Sequence, residues 1–291
     1  SAGLATTGNL VINGTLTGAT TTLDVTGAIS EASAGSIVAG RLNGDTTGAV
    51  SLTGNNRIGS LGDFSAAYLN LGNAQALTVA GTVDGGTSTT LTTTSGDLTI
   101  NGALKGTAMT LDSAGAISEG SQGVITAATL TGRSTGVTAL NGANRVGTLG
   151  SFNAAGFDFT NAQALSANGP LTIANGGRLH LTTSSGVLSV NSALRGGDVG
   201  LSSAGDLALT QAVQGDTVTL VSGGNISQTA SGIVTAGTLA GRSVGSTMLD
   251  PVNHVDALGS FSANGFDLAS DRTLTVIGPV DGGDHVNLIT T

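Results

Sequence analysis

The sequence predicts an all-β fold, a parallel β-solenoid of about 13 coils, on three observations. Glycine supplies 48 of the 291 residues, while aromatics amount to 2% and charged residues to 9%. Side chains can therefore be buried only in a narrow core of Leu, Val, Ile and Ala. Short apolar triplets alternate with polar residues, as in Leu98-Thr99-Ile100, Met109-Thr110-Leu111 and Leu179-His180-Leu181, and that period of two marks strands. The third observation is internal repetition along almost the whole chain.

GNLVINGTLTG at 8 to 18 returns as GDLTINGALKG at 96 to 106, an offset of 88, and as GDLALTQAVQG at 205 to 215, a further 109. Three units follow, 8–95, 96–204 and 205–291, within a single solenoid spanning 1–291. The offsets differ by 21, and GVLSVNSALRG at 186 to 196 is the additional copy of the opening strand pair, an extra coil near 186–204. A fold that accepts one such element is built of coils of about that length, and four coils of roughly 22 residues account for the shorter unit.

Within the coils, Asn-Gly pairs such as Asn13-Gly14, Asn101-Gly102 and Asn264-Gly265 punctuate the triplets with residues that tolerate positive φ at corners. Pro170 and Pro279 stand where the first unit has Thr82, and Pro251 stands where the others have Gly54 and Gly142. These positions are expected at corners or strand edges that need no donor. The nonapeptide NRIGSLGDF at 56 to 64 recurs as NRVGTLGSF at 144 to 152 and NHVDALGSF at 253 to 261. Its persistent apolar positions form the expected structural core ladder: Ile58, Leu61, Phe64, Val146, Leu149, Phe152, Val255, Leu258 and Phe261. The motif reads as a wider turn that sets the period. Leu69, Phe157 and Phe266, and two residues on Leu71, Phe159 and Leu268, should face the same interior.

Composition excludes several function classes. A formal charge of −9, from 18 acidic against 9 basic residues with Lys105 the single lysine, repels phosphate backbones, so no nucleic acid is expected as partner. There is no cysteine, hence no disulfide frame and no Cys-based zinc site. No apolar run reaches the ~20 residues of a spanning helix. One Tyr and no Trp also argue against an outer-membrane barrel with aromatic girdles. The opening SAGLATTGNL enters a repeat already under way, as an internal piece of a longer protein would.

Candidate chemistry is periodic and lapses. Glu31 recurs as Glu119 but becomes Gln228, and Asp24 and Asp112 become Val221. Arg57 and Arg145 become His254, while Arg133 and Arg242 replace Asp45. A catalytic carboxylate in a glycoside-cleaving β-helix belongs once, in one cleft, so no catalytic residue is nominated and the chain is read as not an enzyme. His180, His254 and His285 fall in different coils, so no metal or cofactor site is nominated either. The VDGG corners at 83 to 86 and 280 to 283 never run in tandem as calcium-binding nonapeptides do. An ice-binding reading fails because the threonine runs at 20 to 22 and 92 to 94 are not one coil apart.

The style of these repeats, GDLTINGALKGTAMTLDSAGAISEGSQGVITAATLTG followed by NGANRVGTLGSF, resembles the shaft of large secreted bacterial exoproteins of the filamentous haemagglutinin type. The resemblance covers residues 8 to 291. It implies a right-handed β-helix, secretion by the two-partner route through an outer-membrane transporter, a secreted or cell-surface location, and a role in adhesion or biofilm contacts. The Asn-Pro-Asn-Gly signature of that family's secretion domain has no counterpart here, so the resemblance is to shaft alone. The expected function is a non-catalytic structural and adhesive rod whose partners are neighbouring rods or host glycans and proteins. The alternative is a self-assembling extracellular filament or sheath component; a polysaccharide-degrading β-helix is the enzyme alternative.

Overall fold

The computed structural model describes residues 1–291, the side chain of Asn175 excepted, and is a parallel β-solenoid. It has 31 strands and one short 3-10 turn at Ala174–Gly176, wound in about 14 turns where 13 were expected. The chain divides into two compact units, Ser1–Val146 and Gly147–Thr291. No helix is long and apolar enough to cross a membrane among the described residues.

Register shows how long a turn is. In the first unit Leu10 pairs with Ile29, then Val50, Leu69, Thr89, Met109 and Leu130 follow one above another. The steps are 19 to 21 residues, so the expected coil of 22 is too long. An 88-residue repeat therefore occupies about four and a half turns rather than four. Its copies start on different ladders. Leu98, the counterpart of Leu10, lies on a different ladder with Leu77 and Ile117. Met109, the counterpart of Thr21, lies on the ladder of Leu10. The second unit behaves alike over 109 residues. Phe157 stacks under Leu179, Val199, Val218, Leu239 and Leu258, whereas its counterpart Phe266 lies on the ladder of Leu165, Leu188, Leu207, Ile226 and Thr247, which continues to Val286.

The core lies inside this winding and follows the alternation. In Ser88–Thr93 and Arg178–Thr183 every second side chain is buried, and parallel rungs about 4.8 Å apart satisfy the backbone between coils. Each fully buried Leu, Ile or Val contributes roughly 1.5–3 kcal/mol, which outweighs the ordering of such small side chains. Leu69 and Leu71 fill the first unit where Phe157 and Phe159 fill the second, and all four are buried. Phe152 meets Phe157 at 4.7 Å between ring centroids, and Phe261 meets Phe266 at 4.5 Å.

The wider turn has a definite geometry. Leu52 pairs with Leu71 but Asn56 with Asn73, so Ala49–Ser65 carries two extra residues there. Leu42 pairs with Leu61 but Gly44 with Phe64, one extra residue on the other flank. The same two irregularities bracket NHVDALGSF, at Leu249/Asn253 and Leu239/Gly241. These bulges re-aim the strand and let Phe64 lie over a position without a side chain. A Cβ on Gly44 would meet the Phe64 ring at 2.4 Å.

Candidate functional site

The nine residues of the expected core ladder, Ile58, Leu61, Phe64, Val146, Leu149, Phe152, Val255, Leu258 and Phe261, are all buried at 2% exposure or less. Within one copy they point inward together, but Ile58, Leu61 and Phe64 face Ala39, Val79 and Val83 on three different ladders. They are core, on the geometry, and hold no ligand-facing position.

Beside them sits a polar clasp that the sequence pattern did not single out. Asn56, first residue of the motif, is fully buried. Its Oδ1 accepts from the Ile37 amide at 2.6 Å, and its Nδ2 donates to Glu31 Oε2 at 3.0 Å and to the carbonyls of Leu52 and Gly72 at 3.1 Å. Glu31 Oε2 also accepts the Gly54 amide at 2.7 Å. The extra residues of the bulge leave ladder positions without strand partners, and this side chain supplies them. The second copy repeats the arrangement: Asn144 Oδ1 accepts from Ile125, and Glu119 Oε2 accepts from Asn144 and Gly142. Burial pushes the Glu119 carboxyl above the usual carboxylate range, against the hydrogen bonds from Asn144 and Gly142 that pull it down.

In the third copy two changes occur together. Pro251 replaces the glycine and has no N–H to give, and the acid becomes Gln228. Its Nε2 donates to the Gly232 carbonyl at 2.7 Å and to Asn253 Oδ1 at 2.6 Å. An acid stands where a backbone donor faces it, and an amide stands where that donor is gone. The prolines at 170 and 279 follow the same logic. In the first unit the Thr82 amide donates to Asp63 Oδ1 at 2.8 Å; where Pro170 and Pro279 remove that donor, Ser151 and Ser260 replace the acid. The prolines still offer carbonyls, which accept from Phe152 and Phe261.

The remaining candidates fall into small pairs and one group of four, in which His180 lies between Asp198 and the buried Asp158 that also holds Arg178. His180 Nε2 lies 3.1 Å from Asp198, His254 Nδ1 2.7 Å from Asp271, and His285 Nε2 3.2 Å from Asp267. Arg178 bonds Asp158 through Nε at 2.9 Å, and that bond holds its guanidinium further into the charged range. Arg133 meets Asp112 at 3.3 Å, so the counterpart of Asp45 neutralises a neighbour. Asp84 and Asp281 cap their own corners by accepting the Gly86 and Gly283 amides at 3.0 Å. Gly86 and Gly283 have φ of 59° and 56°, so these VDGG corners require glycine for the turn itself. No group of three His, Asp or Glu could hold a metal ion among the described residues.

A second buried polar feature escaped the sequence reading. Thr183, Ser203, Ser222 and Ser243 stack on successive turns, and Ser203 and Ser222 each donate to corner carbonyls, of Asp206 and Asn225, at 2.8 and 2.9 Å. Open hollows also lie on the outer surface, lined by Gly, Ala, Thr and a few charged residues.

The geometry defines a class, a repetitive parallel β-solenoid braced by buried amide and hydroxyl ladders. The chain matches no protein-family model, no curated protein and no solved structure.

Proposed function

We propose that this chain is a non-catalytic structural and adhesive segment of a secreted or cell-surface bacterial exoprotein. Its partners are then host or cell-surface glycans or proteins and neighbouring rods, and export runs through an outer-membrane transporter. The observation that carries this reading is the clasp. The recurring acids are engaged in holding backbone amides, and the acid becomes an amide where the backbone donor is missing. That is the substitution logic of a brace, since a general acid or nucleophile could not become glutamine and still act. Parallel coils present the same surface motifs again and again, so weak contacts add through multivalency. The test is adhesion: beads coated with the purified chain should bind glycoprotein-coated surfaces above beads coated with an unrelated acidic protein. Equal binding by the two would overturn the adhesive part.

The alternative is a self-assembling extracellular filament or sheath, in which faces of neighbouring copies pair. Electron microscopy of the purified chain separates the two, with regular fibres favouring assembly and isolated particles favouring the shaft.

A further inference from the structure

A hollow recurs at one sequence position of each repeat. Gly18, Gly106 and Gly215 correspond through the offsets of 88 and 109, and each lies in an open concavity beside a Gly or Ala of the next turn, Ala39, Ala127 or Ala236. A small residue is demanded by the fold here: a Cβ on Gly106 would meet Thr89 Oγ1 at 2.4 Å, and one on Gly215 the Thr217 carbonyl at 2.8 Å. The hollow is thus a by-product of winding, and what distinguishes the copies is the chemistry of the walls.

The hollow in Gly147–Thr291 measures about 420 Å³, and the inserted coil supplies part of its wall, Arg195, Gly196 and Gly197. Arg195, Gln214 and Thr235 stand on successive turns in one register, about 4.8 Å apart. Arg195, Gln214 and Asp216 are exposed, and none of the three has a hydrogen-bonded or charged side-chain partner among the described residues. On the rim Arg272 Nη1 donates to both oxygens of Asp256, at 2.9 and 3.1 Å.

We propose that this hollow binds a short uncharged oligosaccharide, an inference that deepens the adhesive reading above and rests on it. Free donors on Arg195, both functions on Gln214 and Thr235, and a free acceptor on Asp216 suit sugar hydroxyls, which donate and accept at once. An anionic chain would face Asp216, the Asp256 carboxylate and the overall charge of −9, and is repelled. An apolar peptide or lipid finds little to bury against, because Ile173 and Ala236 are the apolar side chains of the lining. Without an aromatic platform a single hollow binds weakly, with Kd of about 1 mM, and repetition along a surface supplies the rest.

The test titrates short cello-, chito- and malto-oligosaccharides into the isotopically labelled chain. At least one should give saturable amide shifts centred on Arg195, Gln214, Thr235 and Gly237. Arg195→Ala should weaken it about tenfold, and Thr235→Trp, which fills the hollow from an outward-facing position, should abolish it. Lys105→Ala, at the position corresponding to Gln214 one repeat earlier, should change nothing. No saturable shift with any of the three, shifts centred elsewhere, binding unchanged in both hollow variants, or tighter binding of a sulfated or uronic oligosaccharide would overturn the proposal. Coated beads keep the two readings apart. Adhesion by the parent chain with no saccharide binding overturns the hollow and leaves the adhesive rod standing, while adhesion lost with Thr235→Trp supports both.

Discussion

The acid and the amide of the clasps are not interchangeable, and exchanging them puts a number on the brace. In Gln228→Glu, a carboxylate replaces an amide that donates to the Gly232 carbonyl at 2.7 Å and to Asn253 Oδ1 at 2.6 Å. Two donor bonds become oxygen–oxygen contacts, and Pro251 has no N–H to offer in return. At about 1 kcal/mol per bond lost and a further ~1 kcal/mol for a half-buried charge, the cost is ~3 kcal/mol at neutral pH. The new carboxyl has a folded pKa above its unfolded value, so the cost is absent below the unfolded pKa and grows as pH rises through the folded one. In Glu119→Gln the amide oxygen can still accept the Gly142 amide, and Nε2 has the Gly123 carbonyl where Gln228 has Gly232. The change should stay within ~1 kcal/mol. Because burial raises the Glu119 pKa, the wild type loses stability as pH rises through that pKa, and the variant loses this slope. A solenoid opens locally, so native-state hydrogen exchange is the assay. The reporters are the amides of Val234 and Ile125, bonded to Asn253 and Asn144 at 2.8 and 2.7 Å. Corrected for intrinsic rates, Val234 should exchange roughly a hundredfold faster in Gln228→Glu at pH 7 and recover toward pH 4. Unchanged exchange at Val234, or an equal acceleration at Ile125 in Glu119→Gln, would refute the donor-matching argument.

Three further changes probe other levels of the fold. Asn56→Ala strips the buried Ile37 amide of its acceptor and should raise exchange at Ile37 by about 2–4 kcal/mol equivalent, with the far turns of the second unit unaffected. Gly44→Ala forces a Cβ against Phe64 at 2.4 Å and should lower the denaturant midpoint by about 1–3 kcal/mol equivalent, an effect that Phe64→Leu in the same chain relieves. Deleting Leu188–Asp206 removes one turn in register, since Leu188 pairs with Leu207. The shortened chain should keep its β-sheet circular dichroism and cooperative melting while losing the wall that carries Arg195; an unfolded product would contradict the additive view of turns.

Much of the architecture is legible in the chain because it depends on local periods. Alternation in Leu98-Thr99-Ile100 fixes which side chains face inward whatever lies above or below, so the solenoid, the extra coil near 186–204 and the burial of Ile58, Leu61 and Phe64 can be read without coordinates. Of the prolines expected at corners or strand edges, Pro170 and Pro279 lie outside strands but Pro251 stands within Thr247–Ser262, and the amides that they replace are in use in other copies, which was illegible because the Asp63–Thr82 bond spans one turn. The clasp was illegible for the same reason. Asn56 and Glu31 stand 25 residues apart, and nothing in either neighbourhood announces the other. The joint change to Pro251 and Gln228 was visible as two separate substitutions.

The sequence by itself determined the winding, its repeat and its aliphatic interior, since these follow from period-two patterning and from identity between copies. Only the tertiary structure decided the phase. A turn of about 20 residues rather than 22 places Leu10 and Leu98 on different ladders, because the length of a turn is set by where corners close and by which backbone donors find acceptors on the turn below. That closure is a property of neighbouring turns together, and it also decides that the recurring acids face amides and that the hollow beside Gly215 opens between Arg195 and Thr235.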